Sequence, residues 1–121
     1  MKDSGKRQEF KSGAVRDITE GKSRPDLISP FAQDRLGKWL AEGAKKYEPR
    51  NWEKGIPLAR TLESLCRHLN AYQRGDDSED HLAAVMCNAM FLAHGEEMIS
   101  RGVWPVELDD LPDYRAEADK Q

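Results

Sequence analysis

His68 follows Arg67 inside an apolar helical stripe, and His81 follows Asp80 at the start of another. Between the two imidazoles lies an acidic run, Asp76, Asp77, Glu79 and Asp80. Imidazole titrates near neutrality and can hold a water or a phosphate oxygen. Carboxylates at a helix start are favoured by the macrodipole but repel one another. A divalent cation such as Mg²⁺ or Mn²⁺ would relieve that repulsion, because hard cations take carboxylate oxygens. His81 and Asn88 are seven apart and share a helix face, with Ala84 between them. So small a residue leaves room for a ligand, and it equally suits close helix packing. Upstream, the block from Glu42 to Trp52 crowds Lys46, Tyr47 and Asn51 at a helix end. Glu63 and Arg67 are four apart, a spacing that serves a structural ion pair as well as a site. The ladder Asp34, Lys38, Glu42 and Lys46 reads the same two ways.

The elements that must position these groups read as helices. Ser29-Pro30 supplies a cap and a first-turn proline for a helix running to about Tyr47, with Leu36, Trp39, Leu40 and Ala44 on one face. A second helix spans about 58–74, with Leu58, Leu62, Leu65 and Leu69 in phase. Gly75 stops it, and Ser78 is placed to cap a third helix over about 79–100. That helix is apolar nearly all round from Leu82 to Ala93, so something must cover it on more than one side. Residues 13–30 carry Gly21, Pro25 and Pro30 and no sustained period, which predicts an extended arm. The expected fold is all-α: a small bundle of about three main helices with an N-terminal arm, completed by oligomerisation. The expected organisation is a flexible 1–12, one domain over 13–112 and a flexible 113–121.

With 121 residues, the chain suits one domain with a modest core. Net charge is −3 with both signs intermixed, so no broad cationic field marks a partner that is a nucleic-acid polymer. No segment reads as a signal peptide or a membrane span, and a soluble cytoplasmic protein is expected. Cys66 and Cys87 sit in apolar helical contexts without zinc-site spacing, which predicts two free thiols.

Five motifs in order resemble one family. They are Gly13-Ala-x-Arg16-Asp17 with Gly21-Lys22-x-Arg24-x-Asp26-Leu27-Ile28-x-Pro30, then Gly43-Ala-x-Lys46-Tyr47, Asn51-Trp52, Arg67-His68-Leu69, and His81-Leu82 with Asn88. Together they are similar to the phage dATP/dGTP diphosphohydrolases, relatives of the MazG-like all-α nucleotide pyrophosphohydrolases. The resemblance covers residues 13 to about 95. It implies hydrolysis of a purine deoxynucleoside triphosphate to the monophosphate and pyrophosphate, with Mg²⁺ or Mn²⁺, in phage nucleotide-pool remodelling. One departure stands out. The broader pattern of Glu-x-x-Glu and Glu-x-x-Asp is missing, since Glu42 is followed at the third position by Lys45, Glu63 by Cys66 and Asp80 by Ala83.

The resemblance and the residues give a set of expected roles. Glu42, Glu63, Asp77 and Asp80 are the expected metal ligands. Lys46, Arg67, Lys22 and Arg24 would hold phosphates, with Arg16 and Tyr47 also at the substrate. His68 or His81 would orient the water or a phosphate oxygen. Asn51, Asn88 and Trp52 would read or stack on the base, since an amide offers paired contacts and indole a flat platform. The expected assembly is a dimer or tetramer. Two rival readings are a nucleotide sensor or inhibitor without turnover and a helical interaction module.

Overall fold

A computed structural model describes residues 2–114. It is mostly helical, with three long helices and one short ribbon. Strand β1 (Arg7–Glu9) pairs antiparallel with β2 (Val15–Asp17), with Arg7 opposite Asp17 and Gln8 opposite Arg16. The turn closes through Phe10 N–H to Ala14 O and Gly13 N–H to Phe10 O, each 2.9 Å, with Gly13 at φ 92°. Strands of three residues are too short to show an alternating pattern in sequence. Part of the segment expected to be flexible therefore lies in this ribbon. Of the tail placed at 113–121, residues 115–121 fall outside the described residues.

Helix α1 (Pro30–Lys46) starts as its sequence dictates. Ser29 Oγ accepts the Ala32 N–H at 3.2 Å, and Pro30 gives up no needed donor at the first position. Lys45 and Lys46 occupy its last turn, where the helix dipole favours cations. Helix α2 (Leu58–Gln73) begins at Pro57, whose side chain cannot cap it. Asp110, from the far end of the chain, does so instead and accepts the Ala59 N–H at 2.8 Å. Helix α3 (His81–Ser100) starts two residues later than the sequence suggests. Its cap is Asp80, whose carboxylate accepts the Ala83 N–H at 3.1 Å. Ser78 donates its hydroxyl to Asp76 Oδ1 at 2.6 Å and is spent on the preceding turn.

Helices α2 and α3 form an antiparallel hairpin, in which Ser64 meets Asn88 and His68 meets His81. Helix α1 lies against α3. The core is Leu58, Ala71, Ala83, Ala84, Cys87 and Trp104. Alanines on α3 let the hairpin close tightly, because a small side chain brings backbones together. Trp104 comes from beyond the helices and is 5% exposed. Its indole N–H donates to Glu53 O at 3.0 Å, tying the tail to the loop before α2. The segment after α3 packs around this buried indole and makes a 3-10 turn at Val106–Leu108. Cys66 and Cys87 are free thiols. Cys87 is buried, and burial pushes its thiol up to about 11.

Candidate functional site

A cleft of about 1010 Å³ opens between α1 and the α2–α3 hairpin. From α1 it takes Arg35, Lys38, Glu42 and Lys46, a row set by helical spacing. From the hairpin and its turn it takes Ser64, His68, Glu79, Asp80 and Asn88. A second, more apolar groove of about 510 Å³ adjoins it and shares Trp39, Tyr47 and Phe91. Asn51, Trp52 and Ile56 line that groove. Trp52 stacks on Phe91 with ring centroids 4.8 Å apart, and His94 meets its edge at the same separation. A polar trough thus continues into an aromatic one.

The charges in the trough are partly spoken for. Arg35 forms a two-point pair with Asp80, Nε to Oδ2 at 2.8 Å and Nη2 to Oδ1 at 2.6 Å. The Arg35 guanidinium holds the Asp80 carboxyl below its ordinary range. The pair fastens the start of α1 to the start of α3. Glu42 lies 3.3 Å from Lys45, and Lys38 lies 3.1 Å from Asp34. Lys46 has no carboxylate partner among the described residues and sits 5.3 Å from the centre of the Tyr47 ring. It is the cation in the trough most open to an anionic ligand. Asn88 spends its amide N–H groups on Ala84 O at 3.0 Å and Ser64 Oγ at 3.4 Å. Those bonds anchor the polar wall of the hairpin.

His68 and His81 face each other with Nδ1 atoms 2.9 Å apart. His81 is buried, and Trp39 packs its ring at a right angle to His68, centroids 5.5 Å apart. Burial pushes the His68 imidazole pKa down, toward the neutral ring. His81 Nε2 lies 3.2 Å from Asp76 Oδ1, yet off the line a ring N–H needs, and it makes no hydrogen bond. Ser78 bonds Asp76 through both its hydroxyl and its amide. With the His81 ring beside them, these contacts hold the Asp76 carboxyl well below the usual carboxylate range. One nitrogen of each imidazole and one Glu79 oxygen lie within 4.8 Å of one another. Two imidazoles and a carboxylate so placed make a donor set that fits a divalent cation.

The cleft gathers Glu42, Lys46, Tyr47, His68, Asp80 and Asn88 from the residues singled out in sequence, with His81 behind the wall. Asn51 and Trp52 line the adjoining groove. Glu63, Arg67 and Asp77 do not line the cleft. Glu63 and Arg67 pair with each other on the exposed face of α2, and Arg67 holds the Glu63 carboxyl low. Arg16, Lys22 and Arg24 stay in the arm. There Lys22 lies 3.7 Å from Asp17, and Arg24 makes a two-point pair with Asp26 at 2.9 and 2.8 Å. Sequence reasoning passed over Arg35, and from the acidic run it chose Asp77 and Asp80 rather than Asp76 and Glu79. Arg35 is hidden among the ladder residues of α1. Glu79 is one of four neighbouring acids with nothing in its spacing to single it out.

A family model described as dATP/dGTP diphosphohydrolase, N-terminal, matches residues 12–101. No curated protein and no solved structure matches the chain.

Proposed function

Over residues 12–101 the chain belongs to the family of the dATP/dGTP diphosphohydrolase N-terminal domain, and from that premise we propose that it hydrolyses a purine deoxynucleoside triphosphate to the monophosphate and pyrophosphate. The observation that carries this reading is the continuous trough: cationic, imidazole and carboxylate side chains at one end, aromatic rings and Asn51 at the other. A nucleotide has the same polarity along its length. Lys46 would hold a phosphate, with Lys38 and Arg35 beside it. Tyr47, Asn51 and Trp52 would face the base. His68 would orient the attacking water or a phosphate oxygen from the cleft wall. A divalent cation, Mg²⁺ or Mn²⁺, would neutralise phosphate charge and lower the pKa of water. Cleavage of the α–β bridge would then be chiefly positioning and charge neutralisation by these side chains. The arm would close over the triphosphate with Arg16, Lys22 and Arg24, exchanging its internal ion pairs for phosphate contacts.

Incubation with dGTP or dATP and Mn²⁺ should release pyrophosphate and the monophosphate in equal amounts. Lys46→Ala and Lys22→Ala should raise KM or lower kcat, with melting temperatures little changed. Nucleotide that binds without any pyrophosphate release would favour a sensor or inhibitor on the same scaffold. Absence of any thermal shift with nucleotide would favour a helical interaction module.

We also propose that the working form is a homo-oligomer, a dimer or tetramer. Phe31, Leu27 and Ile28 are 82%, 72% and 58% exposed where the arm enters α1. Leu62, Leu69 and Tyr72 leave a second apolar strip on α2. A second copy is the cover such surfaces suit. Light scattering at micromolar concentration should give a multiple of the 13.8 kDa chain. A monomeric mass would refute the assembly.

A further inference from the structure

We propose that His68, Glu79 and His81 bind one first-row transition-metal dication, of the Co²⁺, Ni²⁺ or Mn²⁺ class, with Asp76 as the outer carboxylate that orients His81. The donors come from three places: α2, the 74–80 turn and the first residue of α3. The hairpin brings one ligand atom from each to within 4.8 Å of the others.

The two imidazoles set the geometry. Their Nδ1 atoms are 2.9 Å apart. Nitrogens held at about 2.1 Å from a cation are roughly 3.0 Å apart at a right angle and roughly 3.4 Å apart at a tetrahedral one. The spacing therefore suits a six-coordinate site, with positions left open towards the cleft that His68 and Glu79 line. Without a cation, two neutral rings can face each other this way only if one Nδ1 carries a proton and the other is bare.

Asp76 decides which is bare. Its Oδ1 lies 3.2 Å from His81 Nε2. A carboxylate there favours the proton on Nε2 and leaves the His81 Nδ1 lone pair aimed at His68. Ligating histidines commonly turn their other N–H to a carboxylate in this way. Nε2 is buried and without a hydrogen bond in the present arrangement. A cation on Nδ1 would make that N–H more acidic and draw it onto Asp76. The fixed charge agrees. Asp80 is neutralised by Arg35, whereas Asp76, Asp77 and Glu79 leave the turn negative.

The donor set also chooses the class. Two imidazoles and one carboxylate favour borderline cations over Mg²⁺, which prefers an all-oxygen shell. Metal binding here does not depend on the hydrolytic reading. Only the position of the triad on the cleft wall joins the two.

The test is calorimetry on the full chain after chelator treatment and desalting, with Co²⁺, Ni²⁺ and Mg²⁺ as titrants. One Co²⁺ per chain should bind, with visible absorption bands of the bound ion. Glu79→Gln and His81→Gln should weaken binding at least tenfold, and Asp76→Asn by about tenfold. Because His81 is buried, Glu79→Gln at its exposed position carries the test should His81→Gln fail to fold. No bound Co²⁺, or wild-type affinity in Glu79→Gln, would overturn the site. Mg²⁺ binding as tightly as Co²⁺ would overturn the class assigned. If Co²⁺ binds and dGTP is not cleaved, the hydrolytic reading fails alone and the site stands.

Discussion

Removing divalent cations with EDTA is expected to lower dGTP turnover by about a thousandfold, and adding Mn²⁺ back is expected to restore it. A triphosphate brings up to four negative charges to a trough whose fixed cations are largely paired already. Arg35 is held by Asp80, Lys38 lies beside Asp34 and Lys45 beside Glu42. Lys46 alone cannot offset the charge that develops on the leaving pyrophosphate. A bound cation is worth several kcal/mol of such stabilisation. At about 1.4 kcal/mol per factor of ten, several kcal/mol is about three orders of magnitude in rate. The measurement is pyrophosphate release in EDTA, then with graded Mn²⁺ or Mg²⁺. Far-UV circular dichroism in EDTA should stay unchanged, because Leu58, the α3 alanines and Trp104 hold the helices together and His81 is the one buried member of the proposed triad. A full rate in chelator would remove the metal from the mechanism.

The largest effect on stability is expected from Trp104→Ala. The indole is 5% exposed and packs against Gly95, where an added Cβ would lie 2.8 Å from Trp104 Cζ3 and 2.8 Å from Leu58 Cδ2. Its edge meets His94, with centroids 5.7 Å apart. Truncating a buried tryptophan costs about 3–5 kcal/mol. Losing its N–H strands the Glu53 carbonyl, which adds about 1 kcal/mol. Against a total stability of roughly 5–15 kcal/mol, that is a large share. The melting temperature should fall by at least about 15 °C, taking about 4–8 °C per kcal/mol for a small domain. Gly95→Ala probes the same contact from the other side and should cost about 1–3 kcal/mol through overpacking. Thermal unfolding followed at 222 nm checks both. A melting temperature within a few degrees of wild type for Trp104→Ala would mean that the tail does not hold the core.

The helices were legible because their signals are local. Ser29-Pro30, the Leu58–Leu62–Leu65–Leu69 phase and Gly75 lie within a turn or two of what they determine. Asp80 displaced Ser78 as the cap of α3 because the 76–78 turn claimed the serine hydroxyl, a competition settled over two residues of backbone geometry. The ribbon at Arg7–Asp17 was not legible, since three-residue strands carry no period. Family membership was also legible, through the order of five short motifs. Pairing across the chain was not. Nothing in the spacing of Arg35 and Asp80, forty-five apart, or of His68 and His81, thirteen apart, says that they touch. Those contacts follow from the crossing of α1 over the hairpin and the register of α2 on α3. That register is set by how alanines, Leu58 and Trp104 fill the core together. Composition placed histidines and acids near helix ends. The packed hairpin alone selected Glu79 from four neighbouring acids to stand beside the two imidazoles, because proximity in space depends on every side chain between them.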